Sequence, residues 1–198
     1  RVLTLTFPDL NGNQNWSYTA DGLPETITTN NDGGATTVVN TYVYNKRRLL
    51  TSESSAQPGW YTFTANYGYD GNGHLASLTY PGGLVVDYAP NALGQPTQAG
   101  TFANNVSYWP NGAIKQFTYG NGIVHTLSRN ARGAREETRH AYGASNILQD
   151  VYDYDAAGNV AAISDGATGQ AQRGNRTMTY DGLDRLTDVT SPMYGTAG

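Results

Sequence analysis

The feature that most constrains the fold of this chain is a seven-residue phrase that returns along it. Each copy opens with tyrosine and aspartate, continues through a short segment rich in small residues, and ends on an aliphatic residue. The three clearest copies run over residues 69–75, 154–160 and 180–186. Self-similarity at a fixed spacing is the signature of a repeat architecture. The sequence therefore predicts a repeat array, which usually supplies a surface or a container.

Five weaker copies fill the rest of the chain. With them, the first residues of the eight copies are Tyr18, Tyr44, Tyr69, Tyr88, Tyr108, Leu127, Tyr154 and Tyr180. The copies at Tyr88 and Leu127 are stretched by one residue, and Arg48 stands where the copy at Tyr44 would have glycine. Successive first residues are 19 to 27 positions apart, which is about the length of two strands and two turns.

The segments between the copies have the composition of β-strands. Residues 2–7, 36–44, 61–64 and 83–88 are rich in threonine, valine and aromatic residues, which suit a pleated, half-buried surface. Asn-Gly and Asp-Gly pairs between strands tolerate the positive φ of tight hairpin turns. These pairs are Asn11-Gly12, Asp21-Gly22, Asp32-Gly33, Asp70-Gly71, Asn72-Gly73, Asn111-Gly112, Asn121-Gly122, Asp165-Gly166 and Asp181-Gly182. The pattern predicts an all-β fold, a curved antiparallel sheet of about eight consecutive hairpins in one meander.

One stretch, residues 131–142, has some helical character. Gly133 interrupts it and no sustained apolar face runs through it, so we predict strand and turn there as well. The whole chain is then a single array over residues 1–198. Since it begins at Arg1 with no visible signal peptide, we expect it to be a fragment of a larger protein.

Composition narrows the class of protein. Hydrophobic residues make up 38% and charged residues 14%, both low values that suit a sheet with aromatic side chains on one face and neutral polar ones on the other. Fifteen tyrosines and three tryptophans are too many for a disordered chain. Without cysteine there are no disulfides or thiolate metal sites. A net charge of −4 with few lysines argues against nucleic-acid binding, and no apolar run is long enough to cross a bilayer.

The repeated phrases resemble the RHS, or YD, repeat family. Residues 152–160 and 178–187 match its hallmark, residues 80–85 and 119–124 resemble its linking strands, and the resemblance extends from about residue 18 to residue 189. It implies a long β-sheet strip that spirals into a hollow shell. Such a shell encloses a toxin polypeptide in bacterial insecticidal toxin complexes and Rhs toxins, and serves extracellular contact in teneurins. YD repeats have also been linked to carbohydrate binding.

The resemblance also implies partners and a location. The partners would be a polypeptide cargo or other parts of the parent shell, and the location secreted or cell-surface, with the cytoplasm as a possible place of assembly. The chain departs from the toxin-bearing members in one respect. Those members carry an Asp-Pro motif and a self-cleaving aspartate after the repeats, and this sequence has no Asp-Pro pair. Neither self-cleavage nor toxin activity is therefore assigned to a residue here.

Residues that could carry chemistry have simpler interpretations. Residues 153–158 begin like an EF-hand calcium loop, but Ala157 and Ser164 stand where that loop needs an oxygen ligand and a glutamate. We expect Asp155 instead to accept N–H groups of its own turn. The histidines, at positions 74, 125 and 140, are isolated in the sequence. His125 and Ser128 are three residues apart on a strand, so they point to opposite faces.

The charged and aromatic residues allow similar alternatives. Glu136 and Glu137 are adjacent and lack an obvious carboxylate partner for glycoside hydrolysis. Nearby arginines could bind an anion, but charge balance with Glu136, Glu137 and Asp150 is favoured; these arginines are Arg129, Arg132, Arg135 and Arg139. Tryptophans beside turns could stack on sugars, but aromatic residues that recur with the repeat favour cross-strand packing; they are Trp16, Trp60 and Trp109.

The sequence therefore predicts no catalytic residue, no cofactor and no metal site. It predicts a structural segment of a shell that surrounds a polypeptide or presents an outer surface. Two alternatives remain: a carbohydrate-binding or adhesion module, which needs a patch of exposed aromatics, and a hydrolase, which needs clustered acids or a nucleophile–base pair. Unpaired first and last strands, such as residues 2–7, also predict strand-edge self-association.

Overall fold

The computed structural model describes residues 1–169 and 174–194, and most of them lie in antiparallel strands and turns. The predicted all-β fold is confirmed. The chain divides into two compact units, Arg1–Gly100 and Thr101–Gly198, and each contains one eight-stranded sheet.

In the first unit the strands follow one another across the sheet in chain order, each antiparallel to the next. They are β1 (Thr4–Leu5), β2 (Asn13–Tyr18), β3 (Pro24–Asn31), β4 (Thr36–Tyr44), β5 (Leu50–Gln57), β6 (Tyr61–Tyr69), β7 (Leu75–Thr79) and β8 (Val85–Asp87). A 3₁₀ turn, Asp32–Gly34, connects β3 to β4.

The second unit has the same topology. Its strands are β9 (Ala103–Tyr108), β10 (Ile114–Tyr119), β11 (Val124–Arg129), β12 (Arg135–Tyr142), β13 (Ser145–Tyr154), β14 (Val160–Asp165), β15 (Arg176–Tyr180) and β16 (Leu186–Thr190). A 3₁₀ turn, Pro192–Tyr194, follows β16.

Two of the sequence predictions need correction. The strands form two meanders rather than one, and of residues 2–7 only Thr4–Leu5 form a strand, although the carbonyl of Leu3 also accepts the N–H of Trp16 in β2. The chain bends after this short strand, because the N–H of Phe7 donates to Asn13 Oδ1 and the N–H of Leu10 donates to the carbonyl of Phe7. The prediction of turn followed by strand over residues 131–142 is confirmed by β12. A single array over residues 1–198 stays a prediction.

The sheets have almost no enclosed core. Val86, which is 6% exposed, is the one buried apolar residue among those described. The loop that follows β8 covers it, and two bonds hold this loop down: the N–H of Gly100 donates to the carbonyl of Asp87 (2.8 Å) and the N–H of Thr97 to that of Tyr88 (3.0 Å). Most strand residues are half-buried, so ladder hydrogen bonds and cross-strand pairs hold the sheets together.

Each sheet has an aromatic face and a polar face, as predicted. Strand registers place the following residues on the aromatic face: Trp16, Ile27, Tyr42, Phe63, Tyr67, Leu78 and Val86 in the first sheet, and Phe117, His125, His140, Leu148, Tyr152, Ile163 and Met178 in the second. The polar face carries mainly threonine and serine, for example Ser17, Thr26, Ser54, Thr64, Thr118, Thr126 and Ser164. Alternation along each strand produces this division.

Candidate functional surface

The copies of the repeated phrase form one kind of turn. In the copy at residues 69–75, the N–H of Asp70 donates to the carbonyl of His74 (2.9 Å) and the N–H of Gly73 to the carbonyl of Asp70 (3.1 Å). Gly73 has a φ of 93°, a conformation that glycine adopts without steric cost. This is the three-residue hairpin loop in which a turn is followed by one left-handed residue.

The same two backbone bonds recur at ten places in the part of the chain that the structure describes. The first residues of these turns are Thr19, Asn45, Asp70, Tyr80, Asn91, Trp109, Tyr119, Asn130, Asp155 and Asp181. Positive φ falls on the fourth residue of the turn, so Gly71 and Gly182, which directly follow an aspartate, do not have it, whereas Gly73 and Asp184 do. Whether a glycine of these pairs adopts positive φ therefore depends on its position in the turn.

The turns also change where two of the eight copies begin. In six copies the first residue directly precedes the first residue of a turn, but Tyr88 and Leu127 lie three residues before Asn91 and Asn130. Pro90 and Arg129 occupy the equivalent positions. The two copies that seem stretched in sequence are turns of ordinary length whose tyrosine is replaced.

A carboxylate or amide at the first position closes the turn. Oδ1 of Asp70 accepts the N–H groups of Asn72 and His74, both at 2.8 Å. The first-position Asn45, Asn91, Asn130 and Asp181 make the same pair of bonds. Oδ1 of Asp155 accepts from Gly158 and Asn159, which confirms its expected role in the turn. At Asp181, the bond from the Arg185 side chain and those from two N–H groups lower the pKa of the carboxyl group.

The tyrosine before the turn ties its strand to the preceding one. The Tyr69 hydroxyl donates to the carbonyl of Leu50 (2.7 Å), and Leu50 is the first residue of the neighbouring strand β5. Tyr154 and Tyr180 make the same contact with the first residues of β12 and β14, and Tyr18 with Val2. These four tyrosines are thus structural, because each fixes the end of its strand against the strand or segment before it in the chain.

Alternate hairpin turns lie at the same end of the strands of each sheet, and side chains connect neighbouring turns of such a series. The guanidinium of Arg48 forms an ion pair with Asp21 (3.1 Å) in the turn before it, and Arg47 donates to the carbonyls of Gly71 and Asn72 in the turn after it. In the second unit Asn159 Nδ2 donates to Asp184 Oδ1 (2.9 Å). We call each such series the turn row of its sheet.

The histidines are not isolated in the structure. His74 Nδ1 lies 3.1 Å from Asp70 Oδ2, and His125 Nδ1 lies 3.1 Å from His140 Nε2. His125 and His140 are partners in the β11–β12 register, which the hairpin brings together although the residues are distant in sequence. Burial, then the nearby His140 and Arg135, lower the pKa of His125. Counting outward from the turn at Asn130 would place His125 opposite Arg139; the bulge at Ser128/Arg129 shifts the register by one residue and brings His140 there instead.

The expected charge balance around the arginines is also wrong. Among the described residues, the ion-pair partner of Asp150 is Arg176 (3.3 Å), and none of the four arginines at 129, 132, 135 and 139 forms an ion pair. Three of them contact neutral groups instead: Arg129 donates to the Gly133 carbonyl, Arg139 to Asn146, and Arg135 lies over the Tyr152 ring. Glu137 accepts from Gln149 and Glu136 from Ser128.

The sequence did not predict that two acidic residues lie opposite each other. Asp150 and Asp165 are partners in the β13–β14 register. Asp150 binds Arg176, and Asp165 accepts the N–H groups of Ala167 and Gly174, both at 2.9 Å. Both carboxylates are thus engaged in holding the strands and the loop after β14.

Of the three tryptophans, two are half-buried and one is exposed. Trp109 donates to the carbonyl of Leu127 and lies 4.9 Å from Lys115 Nζ, and Trp16 donates to Gln14. Trp60 is 82% exposed beside β6. Trp16 and Trp109 are thus half-buried and hydrogen-bonded, and cross-strand aromatic packing of the tryptophans stays a prediction.

Three open cavities lie in the second unit, one of them about 450 Å³ beside Asp150, Asp165 and Arg176. A groove of about 570 Å³ runs between the turns at Asn130 and Asp155, with Glu136, Tyr152 and Tyr154 among its lining residues. A smaller cavity of about 300 Å³ lies on the aromatic face and is lined by Tyr119, Asn121, Ile123, His140, Ile147 and Leu148. Within the described ranges, no helix is long and apolar enough to span a membrane.

Comparison with known proteins identifies an RHS repeat. The RHS Repeat family model matches residues 69–106, a segment that contains the turns at Asp70, Tyr80 and Asn91. Comparison with curated sequences gives no match.

Solved structures share the fold over most of the chain. The crystal structure of TcdB2-TccC3 without its hypervariable C-terminal region has 16% identity and a TM-score of 0.62, over 90% of this chain and 12% of that one. The structure of TcdB2-TccC3-TEV has 16% identity and a TM-score of 0.62, over 95% of this chain and 13% of that one. This chain thus spans about an eighth of the length of those chains. The resemblance to the RHS repeat family is confirmed.

Proposed function

We propose that this chain, which carries an RHS repeat, has a structural role. It is a wall segment of a shell that encloses a polypeptide cargo or presents an extracellular surface. The parent protein would then be secreted or displayed at the cell surface. The observation that carries the proposal is the coupling of four of the periodic tyrosines to the segment before them, and of neighbouring turns through Arg47, Arg48 and Asn159. This coupling stabilises a sheet without an enclosed core.

A wall needs two accessible surfaces, and both faces of these sheets are partly exposed. A compact enzyme domain would instead bury one face of each sheet. The acids and histidines that could carry chemistry bind turn N–H groups, arginines or one another. We therefore propose that the segment has no catalytic activity. Replacing His125 or Glu137 by alanine in the full-length parent should leave any hydrolase or toxin activity unchanged; loss of that activity with folding intact would contradict this.

Single cysteines on opposite faces test the wall directly, since the chain itself has none. Thr62 and Phe63 are neighbours in β6, both exposed, and point to opposite faces. In the full-length parent, Thr62→Cys and Phe63→Cys should both react with a small maleimide. Only one of them should react with a large polyethylene-glycol maleimide, because the other faces the interior. In the isolated chain both should react with either reagent. Equal reaction of both with the large reagent in the assembled parent would overturn the proposal.

A second function, carbohydrate binding, is favoured by one observation. The 570 Å³ groove places the rings of Tyr152 and Tyr154 beside Asn130, Asp153 and Asp155, a combination suited to stacking and hydrogen bonding with a sugar. A glycan array should then detect a ligand whose binding is lost in Tyr152→Ala and kept in Trp60→Ala. Absence of any glycan ligand would leave the wall function alone.

A further inference from the structure

Two imidazoles meet on the aromatic face of the second sheet. His125 on β11 and His140 on β12 are direct cross-strand partners, and their Nδ1 and Nε2 atoms are 3.1 Å apart. The Phe117 ring lies 4.8 Å from the His125 ring, and the Tyr119 ring 5.9 Å from that of His140. The aromatic rings restrict how far the two imidazoles can move, so the pair is held on the sheet.

The spacing of the two nitrogens suits a shared metal ion. Metal–imidazole distances are about 2.0–2.1 Å, so a separation of 3.1 Å corresponds to an angle of about 100° at the metal. This lies between the angles of octahedral and tetrahedral coordination. A modest rotation of each ring would turn both lone pairs toward one ion, and the terminal torsion of histidine is soft.

The surroundings allow a metal ion to enter. His140 lines the open 300 Å³ cavity together with Tyr119 and Asn121, and the rest of its lining is mainly apolar. Over the described ranges, no group of three or more His, Cys, Asp or Glu could hold a metal. The remaining coordination positions would therefore be filled by water from the cavity.

We propose that His125 and His140 form a two-histidine site for a divalent transition metal, completed by water. Imidazole ligands suit Cu²⁺, Ni²⁺ and Zn²⁺, and the general order of affinity places Cu²⁺ first. The bound ion would join β11 to β12, which adds a cross-link to a sheet that has little core. The site is independent of the proposed wall function.

Calorimetric titration of Cu²⁺ into the chelator-treated chain at neutral pH tests the site. We expect one ion per chain, and a loss of affinity of at least about tenfold in either His125→Gln or His140→Gln. His74→Gln is the matched control, since His74 pairs with Asp70 in the first unit and should bind Cu²⁺ as the unchanged chain does. Undiminished affinity in both glutamine variants, or a loss caused by His74→Gln, would overturn the proposal.

A second measurement needs no variant. Cu²⁺ is paramagnetic, so substoichiometric ion should broaden the NMR signals of residues near His125 and His140 first, including those of Phe117 and Tyr119. Broadening that begins at His74, or that is spread evenly over the exposed carboxylates, would contradict the site even if a glutamine variant failed to fold.

Discussion

The hydroxyl of Tyr69 donates a 2.7 Å hydrogen bond to the carbonyl oxygen of Leu50. This bond joins the last residue of β6 to the first residue of β5, directly before the turn that Asp70 closes. One tyrosine-aspartate pair therefore fixes two connections. The tyrosine bonds its strand to the strand before it, and the aspartate closes the turn that leads to the next strand. This is a physical reason for the two residues to recur together.

Removing that hydroxyl should weaken the sheet without changing its shape. Tyr69→Phe leaves the Leu50 carbonyl without this partner, and we expect the free energy of unfolding to fall by about 1 kcal/mol. Urea denaturation measures the difference. Tyr142→Phe is the control, because the Tyr142 side chain is 61% exposed and should tolerate the change. Equal effects of the two substitutions would show that the strand-end hydrogen bond contributes nothing.

Two glycines should respond oppositely to alanine. Gly158, the fourth residue of its turn, has a φ of 100° with open space around its Cα, so Gly158→Ala should cost roughly 1–2 kcal/mol from backbone strain alone. Gly71 is a second residue, also in open space and without positive φ, and Ala156 already occupies that position in another turn. Gly71→Ala should be neutral or stabilising by about 0.5 kcal/mol. Thermal unfolding of both variants distinguishes position in the turn from loss of glycine as such.

Asp155 should be replaceable by asparagine but not by alanine. Asn45, Asn91 and Asn130 accept the same kind of turn bonds through an amide oxygen, so Asp155→Asn keeps the turn, whereas Asp155→Ala removes the acceptor. Unfolding midpoints at neutral pH should therefore be near that of the unchanged chain for the asparagine variant and lower for the alanine variant.

The same carboxyl group gives a pH dependence. Burial acts to raise the pKa of Asp155, but N–H groups of Asn159, Gly158 and Ala157 outweigh it, so the folded pKa lies below the ordinary 3.8. The unfolded chain then binds the proton more readily, and this stabilisation is present above pH 3.8 and is lost as pH falls through the folded value. The difference in stability between the unchanged chain and Asp155→Asn should shift against the unchanged chain over that acid range. A constant difference would contradict the assignment.

Tyr67 should titrate unusually late. A hydrogen bond from its hydroxyl to Glu53 (2.6 Å), with burial and the nearby negative charge, raises the pKa of Tyr67 to about 12. A raised folded value means that the stabilisation is complete below pH 10, the ordinary value, and disappears as pH rises through about 12. Ultraviolet titration of phenolate, compared between the unchanged chain and Tyr67→Phe, should show one tyrosine missing from the late phase. If Tyr67→Phe loses a tyrosine from the early phase instead, the Tyr67–Glu53 bond does not persist in solution.

The outer strands should promote self-association of the isolated chain. Among the described residues β16 pairs with β15 alone, and its side chains are all exposed, so its other edge can pair with another chain. Val189→Lys on β16 should reduce concentration-dependent association in sedimentation velocity. Val43→Lys is the control, since Val43 is exposed but lies on β4 inside the first sheet. A monomeric chain at high concentration, or equal effects of the two lysines, would contradict edge pairing.

The sequence by itself determined the local structure. Copies such as residues 154–160 specify a turn because an aspartate can accept N–H groups two to four residues ahead, and a glycine at the fourth position adopts positive φ cheaply. Alternation of threonine with larger side chains specified strands such as Thr36–Tyr44, whose bounds were predicted correctly. The copies at Tyr88 and Leu127 begin three residues before their turns, because Pro90 and Arg129 stand where the tyrosine would be and do not mark the turn in the sequence.

Only the tertiary structure decided which distant residues meet. Strand register, with its bulges at positions such as Arg129, sets every cross-strand pair, and a shift of one residue would move each side chain to the other face. Register therefore pairs His125 with His140 and Asp150 with Asp165. It also places Arg176, and not one of the arginines closer to Asp150 in the sequence, within ion-pair distance of Asp150. The division into two sheets likewise could not be predicted from the sequence, because the same repeat continues through both sheets. A periodic sequence specifies each hairpin but not where the pairing between hairpins stops.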